Sequence, residues 1–491
     1  MHRKMIVLLM ATVFMLSIPA EAFAASDELT PEHPAVKEMF TSRDFYPSYE
    51  NSVDITLADA VSSADAEGVR IDGDTVTITH EGVYRLSGSL SKGQVVVYAP
   101  EAAKVQLVLD GAAITNEGGP AIHVAQADKV FVTAAKDSEN SLRSVGSLRD
   151  EDVDGAVYSK ADICFNGEGR LYIGSEEGHG IATKDDLKIC SGSYEIEAEK
   201  RGLSGKDSIR IGGGDIRIKA NGDGLHSEHD KADKGYIFIS GGSIDISSGK
   251  DGIDCTNYLN VLAGSIRIDA ASDGINVARA DDRDTSACVT VSGGILSIKA
   301  AEDGIDSNGS ISLHGGELYI SAAPRGGDGA LDYGLAAELH GGTVAAASAR
   351  DMAMNFSAAE AQGSMLCLFS NPHSAGEEVQ LMDESGNVLL SFVPEYDYQA
   401  VVLSCAGVTS GGKYAVCSGD ETVEIAMDGN LYGSGFGPMG GPGMMPPHGA
   451  DFPEMPQGME PPEMPMGTPP ELPEGMEAPK MPGGIKKPGK F

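Results

Sequence analysis

The residues in this chain best suited to chemistry are aspartates that come before glycines. Asp223, Asp251, Asp273 and Asp303 each stand before a glycine, and a fifth pair, Asp328-Gly329, follows them. Three or four residues beyond come Asp254, Asn276, Asp306 and Asp332, with Ser227 or Glu228 standing in beside Asp223. The shortest interval between openings, 22 residues, recurs from Asp251 to Asp273. Oxygen donors repeated at a fixed interval suit a hard divalent cation. Ca2+ takes about six to eight oxygens at roughly 2.3–2.6 Å, and an all-oxygen, carboxylate-rich set disfavours zinc and copper. The expected metal residues are therefore Asp223, Asp251, Asp254, Asp273, Asn276, Asp303, Asp306, Asp328 and Asp332, with Ca2+ as the cofactor. With no cation between them, two carboxylates ~5 Å apart repel by about 3 kcal/mol at an effective dielectric of 20. The plain alternative is that Asp-Gly is only a solvated turn dipeptide.

A second ladder runs beside the first. Lys160, Lys184 and Lys206 align in "YSKAD", "ATKDD" and "SGKDS", where the aspartate column is interrupted by His179 and Arg201. One reading pairs these lysines with Asp162, Asp185, Asp186 and Asp207, which would add little stability at an exposed surface. The other has them offer positive charge, together with bound Ca2+, to a polymer of sugar acids.

Strands must position these side chains. Openings at Asp154-Gly155, His179-Gly180 and Arg201-Gly202 precede the Asp-Gly series, and Asp351-Met352 is a degenerate last copy. Within each unit two apolar pairs alternate strictly, as in Ile209/Ile211 then Ile216/Ile218 and Leu259/Val261 then Ile266/Ile268, with glycine turns between. Period two means short strands with one buried face. Units of this length leave no room for a helix. They lack the Leu/Asn pattern of leucine-rich repeats and are too long for a nine-residue calcium roll. The expected fold is all-β: a parallel β-helix whose coils stack ~4.8 Å apart.

The expected organisation follows. Residues 1–24 read as a signal peptide, with Arg3 and Lys4 before an apolar run and "AFA" at 22–24; a short membrane anchor is the alternative. Residues 25–69 form a lead-in or cap, 70–356 the solenoid, 357–432 a β-rich C-terminal cap, and 433–491 a disordered Pro/Gly/Met-rich tail. The expected protein is secreted, with association to a cell surface left open, and it is not an integral membrane protein. A net charge of −37 argues against binding nucleic acid or an anionic membrane. Cys164, Cys190, Cys255 and Cys288 fall in strand patterns and read as small buried residues. One disulfide among Cys367, Cys405 and Cys417 would suit a secreted chain.

Over roughly 70–430 the chain resembles a family of secreted bacterial carbohydrate-binding proteins with a polysaccharide-lyase-like, right-handed parallel β-helix. The likeness rests on "GVYRLSGSL", "KVQLVLDGAAI", "DGAVYSKAD", "TKDDLKI", "GLSGKDSIRIGGGDIRI" and "DGLHSEHDKADKGYIFISGG". It implies bound calcium and affinity for plant-wall polysaccharides, first acidic pectic chains such as polygalacturonate and second cellulose. It does not imply established catalysis. His179 and Arg201 depart from the aspartate pattern, so no metal is implied at those coils.

Three function classes follow from the residues. The first is a calcium-dependent, non-catalytic binding module, with Lys160, Lys184, Lys206, Tyr158 and Tyr258 touching the glycan. The second is a pectate-lyase-like enzyme, in which Lys184 or Lys206 removes the proton beside a uronate carboxylate. The third is a structural or adhesive solenoid. Neutral sugars usually meet aromatic platforms, and the chain has no Trp, which leaves Tyr158, Tyr172, Tyr258 and Tyr333.

Overall fold

Strict apolar alternation needs a sheet on every side of a common interior, and the chain supplies three walls around one. The computed structural model describes residues 29–59, 62–64, 67–278, 286–324 and 327–433. The proposed signal segment and residues 434–491 of the expected tail lie outside the described residues. The described part is nearly all β, a parallel solenoid of about 10 turns.

The first wall stacks short strands in parallel, among them Gly155–Ser159, His179–Thr183, Leu203–Gly205, Leu225–Ser227, Ile253–Cys255, Ile275–Val277, Ile305–Ser307 and Leu331–Tyr333. The second wall is built by strands such as Lys129–Ala134, Asp162–Gly167, Asp186–Ile189 and Ser208–Ile211. The third is built by Glu139–Val145, Arg170–Ser175, Ser193–Ala198 and Asp215–Ala220. The longer strands Tyr236–Ser248 and Tyr258–Ala270 cross from the second wall to the third, with a register shift at the corner. That corner is where the turn glycines sit, a pair at Gly241-Gly242 and a single residue at Gly264. Gly242 and Gly264 adopt φ of 93° and 110°, which a side chain would strain.

The alternating residues point inward as the sequence requires. Ile209, Ile237, Leu259, Val289 and Ile311 form one ladder, and Ile216, Ile244, Ile266, Leu296 and Leu318 another, all buried in one continuous core. The glycine after each opening aspartate is set by this packing. A Cβ on Gly274 would lie 2.2 Å from Ile298 Cγ2 and 2.6 Å from the Gly304 carbonyl. Gly274→Ala is therefore expected to cost about 1–3 kcal/mol by overpacking, read as a lower urea midpoint at unchanged m-value.

The chain before residue 154 forms coils in the same style, such as the parallel pairing of Gly82–Leu90 with Lys104–Glu117. The lead-in holds two short helices that the sequence did not suggest, Pro34–Met39 and Ser42–Phe45. They do not cap the tube. Val36 and Phe40 pack on Phe131, Cys164, Cys190 and Phe238, against the outer side of the second wall. Within the second of them Asp44 is fully buried and ion-paired to Lys129 at 2.5 Å and to Lys188 at 3.6 Å.

After Ala358–Ala359, which still pairs parallel with Ala336–Leu339, the direction reverses. Tyr398–Ser404 pairs antiparallel with the last coil strand Thr343–Ser348 on one side and with Ser364–His373 on the other. A separate antiparallel sheet joins Val388–Phe392, Val379–Asp383, Lys413–Ser418 and Glu421–Ala426. All seven cysteines are free thiols, so Cys367, Cys405 and Cys417 are not cross-linked. Among the described residues no helix is long and apolar enough to cross a membrane.

Candidate functional site

Register along the first wall follows its inward residues. Ile253, Ile275 and Ile305 pair in turn, and counting back two from each puts Asp251, Asp273 and Asp303 in one line. Each carboxylate in that line has a main-chain partner. Asp251 Oδ1 accepts the Asp273 N–H at 3.1 Å, Asp273 Oδ1 the Asp303 N–H at 2.8 Å, and Asp303 Oδ1 the Gly329 N–H at 2.6 Å. His179 does the same work two coils before Asp223, its Nδ1 accepting the Arg201 N–H at 3.1 Å. At these four coils the opening residue supplies a side-chain acceptor, which takes the place of a carbonyl in the interstrand ladder.

Two aspartates fall out of the expected column. Ile305 pairs with Leu331, which sets Gly329, not Asp328, opposite Asp303. Asp328 stands one position early because the apolar residue fixes register, and the Asp-Gly dipeptide does not. For the same reason His179 lies opposite Gly155, so Asp154 is also one position off.

The second column is in register: His226, Asp254, Asn276, Asp306 and Asp332 follow one another from coil to coil. Its first member is His226, not Ser227 or Glu228. Ser227 is fully buried and Glu228 stands two positions beyond the histidine. Counting three residues from Asp223, the spacing of Asp251 to Asp254, would have found it.

Crowding marks the middle of the stack. Burial pushes Asp273 up to about 7, aided by the charges of Asp251, Asp306 and Glu302 and partly offset by the Asp303 amide. Burial likewise pushes Asp303 up to about 8, with Asp273, Asp332 and Asp306 adding to it. Asp306 is pushed up to about 6, by burial first and then by Asp332 and Asp251. Asn276 Nδ2 donates to Asp251 Oδ2 at 3.3 Å, while its Oδ1 is buried with no hydrogen-bond partner.

Toward the N-terminal end the same wall forms a groove of mixed charge, in which Lys184, Arg201 and Lys206 stand among His179, His226 and carboxylates such as Asp154. Lys160, Lys184 and Lys206 directly follow strand positions paired from coil to coil. All three are exposed, and among the described residues none has a carboxylate within 4.0 Å. Their expected partners are engaged elsewhere. Arg210 and Ser208 hold Asp186, Lys234 holds Asp207, and Asp185 shares a hydrogen bond with Asp207. Burial and then the neighbouring Asp162 push Asp185 up to about 7. The groove's other polar side chains are also engaged: Arg201 pairs with Asp223 at 3.0 Å, and His179 Nε2 lies 3.2 Å from Asp154 Oδ2. Burial pushes Asp154 up, but hydrogen bonds from His179 and Lys200 outweigh it and hold the carboxyl well below the usual range.

The two tyrosines assigned to sugar contact do not present faces in this groove. Tyr158 is 2% exposed, edge-on to His123 and beneath the Lys184 ammonium at 5.8 Å, so it supports that lysine and leaves no open ring for a sugar. Tyr258 begins a strand of the second wall, where it stacks on Tyr236 with ring centroids 4.6 Å apart.

A family model described as carbohydrate-binding domain-containing protein matches residues 72–329, more than half of the chain. A relative of the same description from Acetivibrio thermocellus is 32% identical over 145 residues. That alignment covers 28% of this chain and 51% of the relative, so the chain spans about half the length of the relative it matches. A solved structure titled a polysaccharide lyase-like protein from C. thermocellum, gadolinium derivative, is 29% identical. It matches with a TM-score of 0.44 over 50% of this chain and 96% of that one. On the extent of the family match, the chain belongs to the carbohydrate-binding domain-containing proteins.

Proposed function

We propose that this protein binds a plant-wall polysaccharide, acidic polygalacturonate foremost and neutral cellulose second, on its first wall and with the help of calcium. The observation that carries the reading is the lysine ladder. In a chain of net charge −37, Lys160, Lys184 and Lys206 face solvent one coil apart without a carboxylate partner among the described residues. Successive coils ~4.8 Å apart offer an extended chain one ammonium per coil, and lysine reaches a carboxylate as a mobile point charge. Arg201 and His179 stand between the ladder and the aspartates, held by Asp223 and Asp154.

The calcium set in this reading is Asp251, Asp273 and Asp303 with Asn276, Asp306 and Asp332. These residues fit a hard cation. All are oxygen donors, Asn276 Oδ1 is buried without a partner, and three of the carboxyls are crowded enough to hold protons at about 6 to 8. Bound Ca2+ would supply positive charge for a sugar carboxylate to share. The chain's own contribution is to hold the oxygens in line, which the amide ladder does through one oxygen of each opening aspartate. Secretion directed by residues 1–24 belongs to the same reading, since the polymer lies outside cells.

Retention on immobilised polygalacturonate tests this. Binding is expected in millimolar calcium and is expected to vanish in chelator. Lys184→Ala combined with Lys206→Ala is expected to weaken it roughly ten-fold, about 1.4 kcal/mol. Undiminished retention in chelator rejects the calcium role, and full retention by the double variant rejects the lysine groove. Absorbance of unsaturated uronides in the same samples separates binding alone from lyase action.

A further inference from the structure

At the junction of the lysine-bearing groove and the aspartate stack, one coil departs from the all-oxygen pattern. His226 occupies the second-column position, opposite Asp254 of the next coil. Its Nδ1 lies 2.6 Å from Asp254 Oδ2 and 3.5 Å from Asp223 Oδ2. Among the described residues, these three are the set of His, Cys, Asp or Glu side chains whose ligand atoms all lie within 4.8 Å of one another. We propose that Asp223, His226 and Asp254 bind a borderline divalent cation of the zinc class, distinct from the calcium set and independent of glycan binding.

The spacing suits it. Ligands about 2.0–2.1 Å from a tetrahedral Zn2+ stand roughly 3.3 Å apart, between the two distances observed. An imidazole among two carboxylates shifts preference from calcium toward zinc. Three protein ligands leave a coordination position open, and His226 lines the groove.

The far side of the imidazole provides an independent observation. His226 is 6% exposed, and its Nε2 is buried with no hydrogen-bond partner. Glu228 Oε2 lies 3.4 Å from that nitrogen, off the line of a hydrogen bond. With Nδ1 bonded to a metal, the proton must sit on Nε2, facing this carboxylate. That is the carboxylate–histidine–metal arrangement that fixes tautomer and ring orientation. Without a metal, a neutral ring that gives Nδ1–H to Asp254 leaves its buried Nε2 lone pair without a donor.

Arg201 Nε donates to Asp223 Oδ2 at 3.0 Å, and that oxygen keeps a second lone pair for the cation. The charges of Asp223, Asp254 and Glu228 exceed that of Arg201, so the pocket attracts a dication.

Titration of the full chain with Zn2+ in millimolar Ca2+ tests the proposal, followed by calorimetry and with Co2+ as a spectroscopic probe. One zinc per chain is expected to remain bound. His226→Asn is expected to abolish that event, and Glu228→Gln to weaken it about ten-fold, while both variants keep the calcium-dependent rise in melting temperature. Zinc binding unchanged in His226→Asn, or no tight zinc in the parent chain, overturns the proposal. Loss of calcium-dependent polygalacturonate retention with zinc binding intact would leave it standing and reject only the calcium reading.

Discussion

Metal-free protein is expected to lose thermal stability as the pH rises from about 5 to about 8, and calcium is expected to restore it at the upper end. Asp306, Asp273 and Asp303 keep their protons to about 6, 7 and 8 in the folded state, whereas an unfolded chain releases them near 4. Between those limits the folded state binds more protons. The stabilisation is therefore whole below the unfolded value and is lost as pH climbs through the folded ones. For one carboxyl held near 7, the full linkage would be about 4 kcal/mol. Solvent screening at these half-buried sites brings the expectation to about 2 kcal/mol for each group. Calorimetric melts in chelator at a series of pH values would measure the slope. Asp303→Asn is expected to flatten it, because an amide oxygen still accepts the Gly329 N–H without carrying charge. A flat or rising stability over this range would contradict the crowding described for the stack.

The second large effect lies away from the groove. Asp44→Ala is expected to cost about 3–5 kcal/mol, the usual result of leaving buried charge without its partner. Lys129 and Lys188 are 7% and 6% exposed and both turn to this one carboxylate. The Lys188 ammonium also donates to the Met39 carbonyl at 3.0 Å, so it helps hold the helical segment down. The loss should fall on the docking of residues 29–46 and spare the tube, whose coils do not depend on that segment for their ladders. Faster alkylation of Cys164 and Cys190, both buried under the helices, is the expected readout. Unchanged thiol protection in Asp44→Ala would show that apolar contact alone holds the segment.

The solenoid was legible because its signal is redundant. Dozens of alternating apolar positions agree, and a single misjudged residue does not alter the period. The site was read less completely, because one position decides each of its ligands. The glycine neighbour points to Asp328, while the molecule sets register by Leu331. A search for oxygen ligands passes over His226, although the three-residue spacing points to it. The role of the opening aspartates as acceptors for the next coil's amide needs the third dimension, since sequence shows that they recur and not what faces them. The helices at Pro34–Met39 and Ser42–Phe45 are too short to show a period, and Asp44 gives no sign in sequence that two lysines far along the chain converge on it.

A parallel stack has no natural last member: its terminal strand shows the same unpaired edge that every earlier one offered to its successor. Here Tyr398–Ser404 lies along that edge in the opposite sense, on the third wall's last strand, Thr343–Ser348. A neighbouring molecule arriving head-to-tail would find this rung already taken by a strand of reversed polarity. Growth along this wall is thereby blocked, and the reversal works there as a chain terminator in the polymer sense.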